Sequence, residues 1–67
     1  MTVSIVSGDV DFDVTLRDID PSPWIRWRTD EFFIESVQLH GVELYGLLSD
    51  NVMANILGKA AKEWYSR

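Results

Sequence analysis

Three aspartates at alternate positions are the residues of this chain whose types and spacing most nearly indicate a chemical site. Asp9, Asp11 and Asp13 match the first ligands of a calcium-binding loop, and a fourth aspartate, Asp20, falls at the twelfth position. The match ends there, because such a loop needs Gly at its sixth position, where this chain has Val14, and usually Glu at its twelfth. We therefore expect no metal in this stretch.

The same stretch is better explained as a β-strand with two different faces. Between residues 9 and 17 apolar and polar side chains alternate without interruption, which is typical of a strand that buries one face. The carboxylates then line the other face, about 7 Å apart. Such a row can bind the Arg and Lys side chains of a basic protein surface. It can equally serve only to keep the sheet soluble and to prevent pairing with other chains.

A second candidate interleaves aromatic and basic residues over residues 24–28. This composition is typical of single-stranded nucleic-acid platforms and of protein interfaces, but acidic segments on both sides weaken the nucleic-acid interpretation. The rings can instead complete a small core, and the arginines can neutralise nearby aspartates. The predicted partner-binding residues are Asp9, Asp11, Asp13, Trp24, Arg26 and Trp27.

No set of residues indicates catalysis or a cofactor. The only histidine, His40, precedes Gly41 in a predicted turn, and the chain has no cysteine and no Gly-rich phosphate loop. An activated nucleophile needs a positioned base and a third group that orients it, and no such constellation is present in the sequence. We expect no catalytic residue, no cofactor and no metal site, and hence no enzyme.

Length and charge narrow the class of function. The 67 residues suffice for one domain, which without disulfides depends on an aromatic-rich core or on self-association. The net charge of -5 arises entirely from residues 1–35, since residues 36–67 are neutral overall. This charge disfavours nucleic acid as a direct partner and favours a basic protein. The absence of a long apolar run or a signal-peptide pattern predicts no membrane association and a cytoplasmic location.

The pattern of elements predicts an α+β fold. Turn signals at Ser7-Gly8-Asp9 and His40-Gly41 separate apolar segments, and the second turn sets Leu39 opposite Val42. The predicted elements are strands over 2–7, 10–19, 32–39 and 42–45, a short strand or ordered loop over 24–28, and a helix over 50–65. We therefore expect one small antiparallel sheet of four or five strands, with one C-terminal amphipathic helix packed on one face.

The helix is predicted from a cap and an apolar stripe. Ser49 is a favourable N-cap. The stripe consists of Met53, Leu57, Ala60 and Trp64, widened by Val52 and Ile56. Gly58 costs roughly 1 kcal/mol relative to Ala inside a helix, and we expect it to allow close approach of the helix to the sheet.

The second half of the chain, from Phe32 to Trp64, resembles small uncharacterised proteins of tailed bacteriophages. The shared features are an acidic first strand, a Pro- and aromatic-rich middle, a hairpin around Gly41-Val42, a Leu48-Ser49 step and a terminal helix. The resemblance implies no known activity and no functional residue. It implies a phage or prophage setting, and thus the cytoplasm of a bacterial host, where small acidic proteins often bind host or phage proteins.

Together these features predict a non-enzymatic protein-binding module. In the phage setting it would modulate a host protein through its acidic strand face. The alternative is a structural or assembly protein that acts as a homo-oligomer.

Overall fold

Alternating apolar and polar residues form the predicted sheet in the computed structural model, which describes residues 1–19 and 25–66. The elements are β1 (Thr2–Ser7), β2 (Val10–Asp18), β3 (Phe32–Leu39), β4 (Val42–Glu43) and the helix α1 (Asp50–Tyr65). The strands pair antiparallel in the order β1-β2-β3-β4, so each strand neighbours the one before it. The α+β prediction is confirmed.

Both hairpins close through two-residue turns in which each residue has a positive φ. Gly8 and Asp9 have φ angles of 58° and 65°, and His40 and Gly41 have 51° and 80°. Two consecutive positive φ angles are the mark of the type I′ turn, whose twist matches that of paired strands. Asp9 therefore lies in a turn, and its predicted place in the row on the strand face is wrong. Because β2 and β3 run antiparallel, the two turns lie at one end of the sheet, which we call the hairpin end.

A bulge changes the phase of β3 halfway along its length. Thr15 pairs with Ser36 but Leu16 pairs with Ile34, which leaves Glu35 as an extra residue. A bulge of this kind lets two residues on one strand oppose one on its partner. Ile34 and Val37 consequently both lie in the core, although three positions separate them.

The core lies between the inner face of the sheet and α1. Its buried members are Ile5, Phe12, Val14, Leu16, Phe32, Ile34, Val37, Met53, Ile56 and Ala60. The rings of Phe32 and Trp64 stack with their centroids 5.0 Å apart, which fixes the end of the helix to the start of β3. The inward alternation of β2 thus supplies three of the buried side chains, as predicted.

The helix follows the prediction closely, with two differences. The Ser49 hydroxyl accepts the backbone N–H of Val52 at 3.3 Å, as an N-cap should. Ile56 is fully buried, whereas Leu57, which was expected at the centre of the stripe, is only partly buried. The predicted role of Gly58 is wrong, because it is exposed and a Cβ added there would meet nothing within 4 Å.

The last predicted strand is shorter than the expected 42–45. Gly46 adopts a φ of 86°, and the N–H of Leu47 turns back to the carbonyl of Leu44 at 2.9 Å. The chain therefore leaves the sheet after Glu43. β2 likewise ends one residue before the predicted boundary of 10–19, at Asp18.

The short strand considered for residues 24–28 is reduced to one bridge between Arg28 and Phe33. The carbonyl of Trp27 also accepts the N–H of Ile34 at 2.9 Å, so this ordered loop covers the first half of the outer edge of β3. Trp24 lies outside the described residues.

Candidate functional site

The face of the sheet opposite α1, which we call the outer face, carries the acidic residues predicted to bind a partner. The pairing register arranges its side chains in rows that run across the strands. From the hairpin end the rows are Val6 and Asp11; Ser4, Asp13, Gln38 and Glu43; Thr2, Thr15 and Ser36; and Arg17, Phe33 and Arg28. None of the elements in the described part of the chain covers this face, because α1 packs on the other one.

Asp11 and Asp13 form the centre of the acidic region. Both are exposed, and they point the same way because they are two residues apart on β2. The ion pairs among residues 1–19 and 25–66 are Arg17–Glu35 and Arg26–Asp50, so neither aspartate is neutralised by a described cation. The two carboxylates thus stand about 7 Å apart on an inner strand of the sheet, which holds their spacing.

Glu43 extends this acidic region along the row of Asp13. Its carboxylate accepts the backbone N–H of Val37 at 2.9 Å and that of Tyr45 at 3.2 Å. The bond from Val37 is the main cause of a lowered pKa for Glu43, because hydrogen bonds to a carboxylate favour its charged form. We call Asp11, Asp13 and Glu43, with Asp9 in the adjacent turn, the acidic end of the outer face.

The opposite end of the outer face has a different character. The Arg17 guanidinium pairs with the carboxylate of Glu35, the bulged residue. Arg28 bridges to Phe33 and is exposed, and Phe33 is half-buried between the two arginine positions. The outer face is therefore negatively charged at the hairpin end. At its opposite end it carries charges of both signs around one aromatic ring.

The aromatic and basic candidates lie elsewhere. Trp27 is half-buried and packs against the core, on the helix side of the sheet, because its neighbour Arg28 takes the outer side. Arg26 pairs with Asp50 at 2.6 Å and lies 5.0 Å from the centre of the Trp27 ring. The structure therefore brings Asp11 and Asp13 together, but does not place Trp27 on their surface.

The remaining candidates take simple structural positions. His40 is exposed in the second hairpin turn. Over residues 1–19 and 25–66, no three His, Asp or Glu side chains are grouped as a shared metal ion would require. The helix of this part of the chain is neither long nor apolar enough to cross a membrane.

Sequence reasoning missed the contributions of Glu43, Phe33 and Arg28. A signal for Glu43 existed, since the two-residue turn that sets Leu39 opposite Val42 also sets Gln38 opposite Glu43. The other two depend on the bridge between residues 28 and 33. The polar residues 29–31 predict a turn between them, but not that the turn pairs Arg28 with Phe33.

No protein-family model, no curated protein and no solved structure matches this chain.

Proposed function

We propose that this chain is a non-enzymatic protein-binding module whose acidic end binds a basic surface on a partner protein. One observation carries the proposal. Asp11 and Asp13 are exposed side by side on one strand, without a described cation, on a sheet face that no described element covers.

The chemistry of this surface suits Arg and Lys side chains. Carboxylates held at a fixed spacing can each accept charge-assisted hydrogen bonds, and Arg can engage a carboxylate through two parallel bonds. The net charge of -5 adds a long-range attraction that speeds the encounter with a cationic surface. The same charge opposes binding to a nucleic-acid backbone, which rewards clustered cations.

Phe33 is the aromatic side chain best placed to contact the same partner. It lies on the outer face, whereas Trp27 packs on the helix side. Aromatic and Arg residues are enriched among the residues that contribute most to protein interfaces. Phe33 with Arg17 and Arg28 therefore supplies the apolar and cationic contacts at the end of the face that lacks free carboxylates.

The biological setting of the proposal is a phage-encoded modulator of a bacterial host protein. This part rests on the resemblance of residues 32–64 to small phage proteins and on the size and acidity of the chain. The partner would then be a host protein with a basic surface.

Charge reversal at the acidic end tests the proposal. The full chain is used as bait in a bacterial lysate, and captured proteins are identified by mass spectrometry. The double variant Asp11→Lys with Asp13→Lys should lose the captured partner and keep the thermal midpoint of the parent chain.

The control makes the same change of charge at the far end of the sheet. Asp30 and Glu31 are exposed and precede β3, so Asp30→Lys with Glu31→Lys should retain the partner. If both double variants lost the partner, net charge alone would govern binding. If both retained it, the carboxylates of the outer face would not contribute. Either result would contradict the proposal.

A further inference from the structure

The edge of the sheet formed by β1 has main-chain groups that point away from the molecule. Among the described residues β1 pairs only with β2, and Met1 and Leu16 exchange two backbone bonds, of 2.7 and 2.9 Å. Hydrogen-bonded pairs recur at every second residue of an antiparallel ladder, so the odd-numbered residues of β1 bond to β2 and the even-numbered ones point outward. The outward residues are Thr2, Ser4 and Val6.

On the opposite side of the sheet the edge strand β4 has only two residues, and the groups of β3 that point away from β2 are bonded to the segments before and after it. Ile34 donates its N–H to Trp27, and Val37 is bonded to Glu43 and Leu44. At the β1 edge the described residues form a single hydrogen bond to an outward main-chain group, in which the Lys59 ammonium donates to the carbonyl of Val6. The backbone N–H and C=O groups of Thr2 and Ser4 have no partner in that part of the chain.

β1 also lacks the features by which natural edge strands avoid pairing. It contains no charged residue and no proline, and its register with β2 runs without a bulge over all six residues. Charges, prolines and bulges are the common means of blocking an edge, and a regular edge without them is a template for another strand.

We propose that β1 pairs antiparallel with β1 of a second copy of this chain, about a two-fold axis at Ser4. Ser4 then lies opposite Ser4 of the second copy, and Thr2 opposite Val6, which joins two four-stranded sheets into one of eight strands. Each outward residue donates one hydrogen bond and accepts one. The Val6 carbonyl can accept the second bond beside that of Lys59, because a carbonyl oxygen has two lone pairs.

Electrostatics allow this pairing in spite of the acidic chain. The β1 side chains that meet across the junction are Thr, Val, Ser and Ile, which carry no charge. The Asp13 carboxylates of the two copies would lie about three strand spacings, roughly 14 Å, apart. That separation exceeds the Debye length of about 8 Å at physiological ionic strength, so their repulsion is largely screened.

A groove beside β1 supports a second copy as the occupant. The groove has a volume of about 320 Å³ and runs between β1 and α1. A second open pocket, of about 340 Å³, lies elsewhere on the surface. The lining residues of the groove are Ser4, Ile5, Val6, Lys59, Lys62 and Glu63. A two-fold axis at Ser4 brings the grooves of both copies together. Lys62 of each copy can then face Glu63 of the other, so that the charges of the two grooves complement each other across the axis.

The self-pairing does not depend on the proposed function, since it uses the sheet edge and leaves the outer face open. It would, however, place two acidic ends on one continuous sheet. Two linked sites raise the overall affinity for a partner that presents two basic patches.

Sedimentation of the full chain over a concentration series tests this inference. The weight-average mass should rise from 7.7 kDa toward twice that value with increasing concentration. Ser4→Pro removes the outward N–H without breaking a bond to β2, and should weaken the dimer by at least about tenfold. Ser4→Ala keeps that N–H and should dimerise like the parent chain.

Circular dichroism shows whether each variant is folded. If Ser4→Pro does not fold, Ser4→Lys decides, because it sets like charges directly opposite each other at the axis and should weaken the dimer several-fold. A parent chain that stays monomeric throughout the series would overturn the inference. So would a folded Ser4→Pro variant, or in its place a Ser4→Lys variant, that dimerises as well as the parent.

Discussion

The carboxylate of Glu43 accepts the backbone N–H of Val37 at the point where β4 leaves the sheet. In a longer hairpin that N–H would bond to the carbonyl of Leu44, but Leu47 already donates to this carbonyl at 2.9 Å. The Glu43 side chain therefore continues the ladder by one bond after the backbone has turned away. Val37 itself is fully buried, so its amide depends on an acceptor from the protein.

Removing this acceptor should destabilise the fold. We expect Glu43→Ala to lower the free energy of unfolding by about 1–3 kcal/mol, because it leaves the buried amide of Val37 without its acceptor. Glu43→Gln keeps an oxygen within reach of Val37 and should lose less. Urea titrations followed by tryptophan fluorescence measure both, and identical stability of Glu43→Ala and the parent chain would show that the bond contributes nothing.

The same bond predicts a dependence of stability on pH. The pKa of Glu43 is lowered in the folded chain from its ordinary value of 4.5, first by the bond from Val37. The unfolded chain therefore binds a proton at a higher pH than the folded chain. The contribution of Glu43 is complete above that ordinary value and is lost as pH falls through the lower folded pKa.

Thermal melts at neutral pH and at acidic pH can check this sign. The difference in stability between the parent and Glu43→Gln should shrink at the acidic end, because the variant has no proton to gain at this position. A difference that grew as the pH fell would contradict the assignment.

Gly58 offers a stabilising substitution. It is an exposed residue inside α1, and an added Cβ would meet nothing within 4 Å. Gly58→Ala should therefore raise the free energy of unfolding by up to about 1 kcal/mol, since Gly is unfavourable in a helix interior. A decrease, measured by the same urea titration, would mean that the helix packs more tightly there than the structure indicates.

Gly41 is expected to respond in the opposite direction. It also has open space around it, but its φ of 80° is one that residues with a Cβ rarely adopt. Gly41→Ala should lower stability by roughly 1 kcal/mol. The pair of variants thus separates the effect of backbone conformation from that of steric space, because the side chain added is the same.

Binding through the acidic end should weaken with salt. Screening shortens the reach of exposed charges, so raising the ionic strength should slow association more than it speeds dissociation. Surface plasmon resonance with the captured partner measures both rates. The variant Asp11→Asn with Asp13→Asn should associate slowly at low salt and respond weakly to added salt, whereas an unchanged salt response would remove these carboxylates from the interface.

The sequence was sufficient to predict those elements whose turn residues and apolar pattern match the side chains that the structure buries. The two positive-φ turns, at Gly8 and Gly41, fall where turns were predicted, and the second pairs Leu39 with Val42 as expected. The apolar alternation of β2 matches its buried face. In these cases short-range chemistry and the core require the same conformation.

Other features depend on contacts that a local pattern does not contain. The extra residue at Glu35 has neither Gly nor Pro as a signal, and its place follows from fitting both Ile34 and Val37 into one core. Trp27 was a candidate anchor beside the aspartates, but the bridge at Arg28 fixes it on the helix side. The early end of β4 likewise results from the turn at Gly46 and from Glu43, a side chain that substitutes for backbone.

The bulge at Glu35 makes the effect of a deletion in β3 depend on which residue is removed. Deleting Glu35 would leave Ile34 and Val37 two positions apart, so that a strand without a bulge would bury Phe32, Ile34 and Val37 on one face. Variants of this domain should therefore tolerate the deletion of Glu35, which costs only its ion pair with Arg17, whereas deletion of Phe33 would set Phe32 and Ile34 on opposite faces.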